Sequence, residues 1–485
     1  AEPAMARHGR AAARLGAALA LWRLCFVEAQ IRVMSPQSLV RDLPNMGRID
    51  GSTATFGAPF YGDRVMGRLV YGSSKTKHCT NDYFLPRFKN PDGAETSSHL
   101  INIVLVERGN CSFTTKVRKA FELGAHAVII VDKQDSDITP ETINNIIVAD
   151  DGFGGDIKIP SVLVTKEVGH QLMAATAQSE VIVELAWDLP TNSEVQMDLW
   201  MSSGSISSNL FLKSFAPYRR KLNQVVNFNP HYAVFSLDGT DPQIYHELCI
   251  DNTGKHCSED PDATGPITGK DVLEEDVRQM CIHMKHKVAR SSARDILRGH
   301  PGVEYSAQYW DYVERILTDC PLDAPHPQDR FGYDCSKRLM GKVGVDIAAV
   351  EACVRANTTV ILDDQLAHPA WSPRALRING WRYSGILDPD LVTRAICSGF
   401  TTKPPECEEL IKPRDPSVPY VPPPPAGVSH STMVFWICIV CVGIAVAFQV
   451  YKNCLKRELQ RTLREEVMLE VQAQMGEYAK LAGDR

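Results

Sequence analysis

Residues 101–132 read INIVLVERGNCSFTTKVRKAFELGAHAVIIVD and show the most regular alternation of strand and helix patterns in the chain. Residues 101–106 and 127–131 are short apolar runs rich in β-branched side chains, which is typical of buried strands. Between them, apolar residues at helical spacing follow a cap at Ser112 or Thr114. A strand, loop, helix and strand of this length predict a right-handed crossover between two parallel strands.

The loop that follows the first of these strands is the candidate binding site. Open α/β sheets present ligand-binding groups at the carboxyl ends of their strands. The Arg108 guanidinium can bind carboxylate or carbonyl groups, and the next two residues supply backbone N–H donors. A disulfide between Cys79 and Cys111 would hold the loop rigid, so that less entropy is lost on binding. The alternative is that Arg108 pairs with Glu107 or caps the sheet. The predicted ligand-binding residues are Arg108, Gly109, Asn110, Cys111, Ser112 and Phe113.

Composition bounds the number of domains and says little about the partner. A chain of 485 residues is too long for one core, which predicts two or three domains. Its 52 basic and 58 acidic residues give a net charge of −6, so no whole-chain signal points to nucleic acid.

Cysteine usage indicates an oxidising compartment. An even number of cysteines lies between the two apolar terminal segments, in the part that would be exported, and this predicts up to five disulfides. Buried free thiols are the alternative. Proximity along the chain favours pairing Cys249 with Cys257 and Cys397 with Cys407, and it leaves the other pairings of the second half open. The cysteines between the terminal segments are Cys79, Cys111, Cys249, Cys257, Cys281, Cys320, Cys335, Cys353, Cys397 and Cys407.

Residues 1–29 are interpreted as a signal peptide. Three arginines form a basic front, residues 15–27 form the apolar part, and Val27-Glu28-Ala29 is a small-residue cleavage site. An N-terminal membrane helix is less favoured, because the apolar run is too short to span a bilayer.

Two folded domains are predicted between the terminal segments. Residues 30–190 are expected to form one mixed α/β (α+β) domain. Residues 191–409 form a second, with a first strand at 231–237, a helical excursion, a hairpin around Gly380 and a closing helix. This order predicts a thioredoxin-like fold with a helical insertion at about 256–360. The helices of the insertion are predicted at 271–288, 308–320 and 341–355.

The catalytic features of enzymes are missing from the sequence. No Cys-X-X-Cys follows the predicted first strand, where Asp238-Gly239-Thr240-Asp241 stands, so the second domain is predicted to be redox-inactive. An oxidoreductase using Cys249 and Cys257 is a weaker alternative, because the seven residues between them suit a structural disulfide better. The metalloprotease, serine hydrolase, phosphate-loop and dinucleotide motifs are all absent. We therefore predict a protein without enzyme activity.

No cofactor or metal site is predicted. The acidic run at 259–262 lacks the spacing of a calcium loop, so a solvated loop is preferred to a calcium site. His283 and His286 have helical spacing suited to zinc, but exposed helix histidines are the favoured interpretation. Of two Asn-X-Ser/Thr sequons, Asn357 is the predicted glycosylation site, because the loop at Asn110 is expected to hold ligand.

The C-terminal region predicts a membrane anchor and a sorting tail. Residues 410–431 are rich in proline and predict a semi-rigid linker. Residues 432–450 carry no charge over the length that a bilayer core requires, and a buried core helix is the alternative. Basic residues begin 451–485, which places this tail in the cytosol and the N-terminus in the lumen. Tyr478 and Leu481 of a Tyr-X-X-Leu tetrapeptide predict an endocytic or Golgi sorting signal, because the two side chains can fill separate pockets of a partner.

Sequence motifs give the chain a recognisable resemblance. Residues 30–190 resemble a protease-associated domain through RGNCSF at 108–113, GAHAVII at 124–130 and IPSVL at 159–163. The chain as a whole resembles plant-type vacuolar sorting receptors. That resemblance is carried by VERGNCSF at 106–113, GKDV at 269–272, VRQMC at 277–281, YWDYV at 309–313 and AICSGF at 395–400. The epidermal-growth-factor-like repeats of that family, one of which binds calcium, are missing before the membrane segment, so no calcium site is carried over.

The resemblance implies a type I transmembrane cargo receptor. Such a receptor binds short peptide determinants of soluble proteins in the Golgi lumen and delivers them to a vacuole or lysosome-like compartment. It implies residence in Golgi, trans-Golgi, prevacuolar or endosomal membranes, and a clathrin adaptor complex that binds the tail. Release in acid requires a group that titrates near pH 6, and His78, beside Cys79, is the candidate. The alternative is a membrane-anchored structural or accessory subunit that uses the same domains as permanent interaction modules.

Overall fold

The computed structural model describes residues 30–85, 100–239, 242–263, 265–290, 302–423 and 430–483. The predicted signal peptide, residues 1–29, lies outside the described residues. The chain divides after Pro422 into two compact units.

An eight-stranded mixed sheet organises the first domain. Its strands lie in the order β2-β1-β8-β4-β5-β6-β7-β3. The four neighbours from β4 to β7 run parallel, and the remaining pairs are antiparallel. The strands are β1 (Ile31–Ser35), β2 (Arg48–Ile49), β3 (Ser52–Thr53), β4 (Arg64–Tyr71), β5 (Ile101–Glu107), β6 (Ala127–Val131), β7 (Ser161–Val164) and β8 (Val181–Ala186). The helices of this domain are α1 (Gln37–Asp42), α2 (Phe113–Glu122) and α3 (Lys166–Gln178).

The predicted unit at residues 101–132 is confirmed. Strands β5 and β6 pair in parallel, with Ile103 opposite Ala127 and Glu107 opposite Val131. Helix α2 connects them, and the Ser112 side chain accepts a hydrogen bond from the Thr115 N–H at its N-terminus. The two strands therefore end at the same edge of the sheet.

Both faces of the central strands are buried. Along β5, Ile103 and Leu105 pack into one apolar cluster, while Val104 and Val106 pack into the cluster on the opposite face. All four side chains are fully buried. Each such burial contributes about 1.5–3 kcal/mol relative to exposure, which explains why the strand is an unbroken apolar run.

A four-stranded sheet organises the second domain, in the order β10-β9-β13-β14. Strands β9 and β10 are parallel, and β13 runs antiparallel to both of its neighbours. The strands are β9 (Val195–Met201), β10 (Val226–Tyr232), β13 (Ala375–Ile378) and β14 (Trp381–Arg382). The flanking helices are α4 (Ile206–Lys221), α10 (Pro389–Ser398) and α11 (Pro405–Leu410).

The predicted first strand of this domain was wrong. The sheet begins earlier, with β9, and the strand near residues 231–237 is β10, which ends at Tyr232. Pro230 lies inside β10 and hides it from a sequence pattern, but β10 pairs with β9 alone. An edge strand tolerates proline because the missing N–H is not needed by a second neighbour.

In a thioredoxin-like fold a catalytic thiol pair would follow the first strand, which is β9. The assignment of this position to residues 238–241 was therefore wrong. The loop at that place is Ser202-Ser203-Gly204-Ser205, between β9 and α4, and it contains no cysteine. Two carboxylates hold it: Asp276 accepts the Ser203 N–H at 2.9 Å, and Asp262 accepts the Ile206 N–H at 2.8 Å.

A largely helical segment separates β10 from β13. Two disulfides hold it together, Cys281–Cys353 and Cys320–Cys335. The predicted single helix at 341–355 was wrong, because a left-handed Gly344 breaks it and Asp346 caps the helix that follows. The elements are α5 (Pro242–Leu248), α6 (Gly269–His286), β11 (Val288–Arg290), β12 (Val303–Tyr305), α7 (Ala307–Asp319), α8 (Tyr333–Lys342) and α9 (Ile347–Ala367).

The two domains pack against each other within one unit. The buried Tyr61 hydroxyl of the first domain donates to Ser384 O at 3.1 Å and accepts the Ser384 N–H at 2.8 Å. Its ring stacks on Tyr383, with ring centres 5.2 Å apart. Gly385 is needed beside them, because an added Cβ would lie 2.5 Å from Pro59.

The beginning of the proline-rich linker also belongs to this unit. Arg414 lies 3.8 Å from the centre of the Phe60 ring and donates to Ala58 O at 2.9 Å. Tyr420 is buried and donates to Asp388. The chain therefore stays attached to the folded domains as far as Tyr420.

The second unit contains helix α12 (His430–Gly483). Within the described residues it is the one helix long and apolar enough to cross a membrane, by length and composition, over Cys438–Gln472.

We predict that Tyr61→Phe destabilises the unit that contains both domains. The change leaves the Ser384 N–H and carbonyl buried without a partner, which costs about 1–3 kcal/mol. Denaturant unfolding of the full chain, followed by tryptophan fluorescence, measures the loss.

Tyr71→Phe is the matched control for this change. Its hydroxyl donates to Glu107 at 3.2 Å in a partly exposed contact. We expect a smaller loss there, under about 1 kcal/mol. Equal effects of the two substitutions would contradict the assignment of Tyr61 to the domain contact.

Candidate functional site

The predicted binding loop begins where β5 ends, at the edge shared by the carboxyl ends of the parallel strands. Gly109 and Asn110 adopt positive φ angles of 123° and 67°. The Cys111 N–H donates to Gly109 O at 2.9 Å, which closes a tight turn. Asn110 also donates from its side-chain amide to Thr76 O at 3.3 Å. The loop is thus folded back on itself and fixed to a second loop.

That second loop is joined to the first by a disulfide between Cys79 and Cys111. The Asp82 carboxylate organises it by accepting hydrogen bonds from the backbone and side chain of Thr76 and from Ser74. These bonds, led by the one from Ser74, hold the pKa of Asp82 at about 2. The two loops are therefore ordered before a ligand binds. Because they are cross-linked, they lose less conformational entropy on binding than flexible loops would.

Arg108 is oriented by a carboxylate that the sequence did not reveal. Its Nη1 donates to Asp132 Oδ1 at 2.8 Å, where the Asp132 side chain is 0% exposed and the Arg108 side chain 31%. Glu107 is engaged by the Tyr71 hydroxyl instead. Among the described residues, Asp132 is the one acceptor of a side-chain hydrogen bond from Arg108. The Arg108 guanidinium also lies 5.5 Å from the centre of the Phe113 ring. The exposed side of the guanidinium is therefore presented to solvent with further N–H donors.

Lys116 adds a second cation beneath the loop. It is buried in helix α2, donates from Nζ to Lys77 O, and lies 3.4 Å from Cys79 Sγ. Burial, and next the nearby Lys77, lower the pKa of Lys116 to about 8. The loop thus lies over a positive charge as well as beside Arg108.

Sequence reasoning missed Asp132 and Lys116 as parts of the site. Asp132 directly follows β6, so the rule that selected Arg108 also applies to it. Lys116 is adjacent to Val117, and both are buried in α2. A lysine beside the apolar positions of a helix was the signal in the sequence that could have identified Lys116.

His78 is not placed to control acid release. The ring is 0% exposed, its Nε2 faces Gly72 O at 2.9 Å, and the Glu107 N–H donates to Nδ1 at 3.2 Å. This network assigns the neutral tautomer with the proton on Nε2. Burial is the main cause that lowers the pKa of His78 below its ordinary value. The buried ring therefore supports the loop in its neutral form and has no exposed face for a ligand.

The other predicted residues lie away from the loop. Disulfides join Cys249 to Cys257 and Cys397 to Cys407. Asn357 lies within α9 and donates to Cys353 O at 3.0 Å, and its glycosylation stays a prediction.

The predicted sorting signal stays a prediction. The backbone of residues 478 and 481 belongs to α12, while the Tyr478 and Leu481 side chains lie outside the described residues.

The candidate metal residues do not come together. Asp262 caps α4, and His283 is buried in α6. In the part of the chain that the structure describes, no three histidine, cysteine or acidic side chains are grouped as metal ligands.

Sequence profiles of two domain families match the chain. The protease-associated domain matches residues 65–172, and the vacuolar sorting receptor thioredoxin-like domain matches residues 186–397. The first range contains the Arg108 loop, and the second contains the four-stranded sheet and its helical insertion.

Whole-chain relatives give the same pattern. Vacuolar-sorting receptor 2 of Arabidopsis thaliana is 28% identical over 412 residues, and vacuolar-sorting receptor 1 of Pisum sativum is 28% identical over 407 residues. Each match covers 78% of this chain and 60% of the relative. Among solved structures, an aminopeptidase from Aneurinibacillus sp. strain AM-1 has 23% identity and a TM-score of 0.20, covering 33% of this chain and 30% of its own.

The likeness to that aminopeptidase is too low to support an assignment. The chain carries a protease-associated domain followed by a thioredoxin-like domain of the vacuolar sorting receptor type, and over 78% of its length it resembles vacuolar sorting receptors.

Proposed function

We propose that this protein is a single-pass cargo receptor that binds peptide determinants of soluble proteins in the Golgi lumen and delivers them to a vacuole or lysosome-like compartment. The observation that carries the proposal is the Arg108 guanidinium, which the buried Asp132 fixes at the edge of the parallel strands. Relatives named as vacuolar-sorting receptors support the same role.

The proposed binding site is a preformed surface for a short peptide. Arg108 offers N–H donors to a peptide carboxylate or carbonyl, and Phe113 supplies an apolar wall beside it. The disulfide and the turn at Gly109 fix this arrangement before binding. A preorganised site of this kind gains affinity without a large contact area.

The proposed activity is binding without catalysis. The loop at Ser202–Ser205 has no thiol to carry redox chemistry, and the protease-associated domain brings none of the peptidase motifs that would accompany it.

The C-terminal helix and tail complete the proposed receptor. Helix α12 provides a candidate membrane span, and basic residues follow the apolar segment, which favours a cytosolic tail. A clathrin adaptor complex is the proposed partner of Tyr478 and Leu481. Recognition in an extended form requires the last turns of α12 to unwind around these residues.

We predict that Arg108→Ala weakens cargo-peptide binding about tenfold or more. A hydrogen bond to a charged group contributes about 1.5–3 kcal/mol, and the alanine removes it. Titration of the full chain in lipid nanodiscs, with peptides recovered from captured cargo, measures the change.

Arg118→Ala is the matched control. Its side chain is also 31% exposed and also forms a 2.8 Å ion pair, but with the exposed Asp156. The double variant R108A/D132N removes the buried charge that Arg108→Ala leaves behind, so a folding defect can be separated from a binding defect. Unchanged binding in both Arg108 variants would remove this loop from the site, and a partner that resists both acid and competing peptide would favour a fixed subunit.

We predict that His78 affects folding stability with pH and not cargo release. Its pKa is lowered in the folded state, so the stability that its neutral ring provides is present above about pH 6.5 and is lost as pH falls toward the folded-state pKa. The unfolding midpoint of His78→Gln should therefore fall less steeply between about pH 7 and pH 5 than that of the unchanged protein.

His170→Gln is the control, because that ring makes only an exposed contact with Gln134. Cargo affinity should keep its pH dependence in His78→Gln. Affinity that became independent of pH in this variant would restore His78 as the release sensor.

We predict that Tyr478→Ala, alone or with Leu481→Ala, reduces adaptor binding to the tail and shifts the protein toward the cell surface. Loss of either pocket-filling side chain removes part of the contact that a Tyr-X-X-Leu signal makes. Pull-down with purified adaptor and surface biotinylation measure both effects. Tyr451→Ala, at the other end of the tail, serves as control, and equal effects of the two tyrosines would count against the signal.

A further inference from the structure

A cavity of about 380 Å³ lies between the two domains and is lined by Tyr61 of the first and Ser384 of the second. Two arginines of the β13–β14 hairpin, Arg377 and Arg382, line it. They are direct partners across the two antiparallel strands, so their side chains share one face. Like charges placed opposite each other are destabilising unless something compensates them.

Arg382 is a half-buried cation without a carboxylate partner. Its Nη2 donates to three neutral acceptors of the first domain, Ser52 Oγ at 3.0 Å, Ile146 O at 3.1 Å and Asn144 O at 3.3 Å. Within the described chain, no carboxylate oxygen lies within 4.0 Å of it. Burial lowers the pKa of Arg382, which is the cost of holding a charge there without a counter-ion.

Arg377 is held by aromatic faces. Its guanidinium lies 5.0 Å from the centre of the Trp200 ring and 5.7 Å from that of Trp371. Asp198 is its partner position on β9, but that carboxylate accepts a hydrogen bond from Asn229 at 2.9 Å and faces His231 at 3.7 Å. No side-chain hydrogen bond, and no ion pair within 4.0 Å, joins Arg377 to a described residue, although the Arg377 charge is one of the groups that lower the pKa of Asp198. Ring faces attract the cation but cannot accept all of its five N–H donors.

The other charge on the cavity wall is already neutralised. Asp188 lines the same space, and Arg64 Nη2 donates to it at 2.9 Å. The cavity therefore keeps an excess of positive charge from the two hairpin arginines.

The remaining walls suit a peptide. Trp381, 37% exposed, and Trp371 supply flat apolar surface, and Asn144 and Asn145 supply polar groups. Trp371 and Ile147 also wall a neighbouring cavity of about 470 Å³, so the space continues along the domain boundary. Because the two cavities adjoin, the space beside the arginines fits an extended peptide chain better than an isolated small anion.

We propose that this cavity is a second binding site, in which Arg377 and Arg382 together bind a carboxylate carried by a peptide segment. Two guanidiniums on one face offer the forked N–H geometry that a carboxylate accepts. The carboxylate site does not depend on the proposed receptor function. The further statement that the peptide belongs to cargo rests on that function. Because arginine stays charged, affinity should fall only where the ligand carboxylate takes up its proton, near about pH 4.

Three short peptides test the proposal on the full chain in nanodiscs. Acetyl-AAEAA-amide carries a side-chain carboxylate, acetyl-AAQAA with a free C-terminus carries a terminal one, and acetyl-AAQAA-amide carries none. Binding is followed by tryptophan fluorescence, because Trp371 and Trp381 line the cavity. We expect at least one carboxylate peptide to bind about tenfold more tightly than the neutral one, and the stronger of the two identifies the source of the carboxylate.

Arg377→Gln should remove this preference, and Arg377→Lys should restore part of it, since lysine keeps the charge but not the fork. Arg355→Gln is the matched control, because it removes a side chain that is 71% exposed on α9. Equal binding of all three peptides, or an unchanged preference in Arg377→Gln with an unchanged unfolding midpoint, would overturn the site.

The outcome is separable from that of the Arg108 experiment. If Arg377→Gln removes the preference for carboxylate peptides and Arg108→Ala preserves it, the cavity site is established. This holds even where Arg108→Ala leaves cargo binding intact. Loss of cargo binding in Arg108→Ala with no carboxylate preference anywhere supports the receptor and overturns only the cavity.

Discussion

The burial of the parallel strands on both faces is the constraint on which the first domain depends. Side chains of β5 enter two separate apolar clusters, so neither face can carry polar chemistry. In β5 and β6, charged groups are therefore confined to the ends of the strands. Parallel strands bring four such ends to one edge, and Arg108 and Asp132 meet there because the crossover helix places β6 beside β5. Topology thus assembles the proposed site before any ligand does.

A buried carboxylate has consequences for how that site works. The Asp132 side chain is fully buried, and one of its oxygens has no partner among the described residues. Its other oxygen accepts hydrogen bonds from Arg108 and from the Lys133 N–H. Separating such a pair costs more than forming it gains, because the charge that remains is not solvated. Arg108 is thereby prevented from swinging away and can offer its free edge to a peptide in one orientation. Function and stability are coupled at this residue, and a double variant is needed to separate them.

Much of the fold could be read from local pattern, and the failures have physical causes. The unit at 101–132 was predictable because apolar runs, a cap and a glycine all agree. Strand β10 was misplaced because Pro230 interrupts the sequence pattern of a strand. The proline is tolerated because β10 is an edge strand, which only the sheet order shows. The helix at 341–355 was joined across Gly344, where a positive φ ends one helix and a cap begins the next. Of the site, Arg108 and its loop were predictable from strand ends, and the same rule applies to Asp132. The pairing of Arg377 with Arg382 follows from the predicted hairpin around Gly380. The burial of His78 and the contacts of Arg382 with the first domain depend on segments that are distant in sequence.

The acidic side chains around Ser202–Ser205 determine how the start of α4 is bound in this thioredoxin-like domain. A reactive cysteine at the start of a helix needs the positive end of that helix to stabilise a thiolate. Here the Asp262 carboxylate already accepts the first N–H of α4, and Asp276, whose pKa burial raises well above its ordinary value, accepts the Ser203 N–H in the loop before the helix. The N-terminus of α4 is therefore bound by an acidic side chain of the same chain, so an anion from outside could bind there only by displacing Asp262.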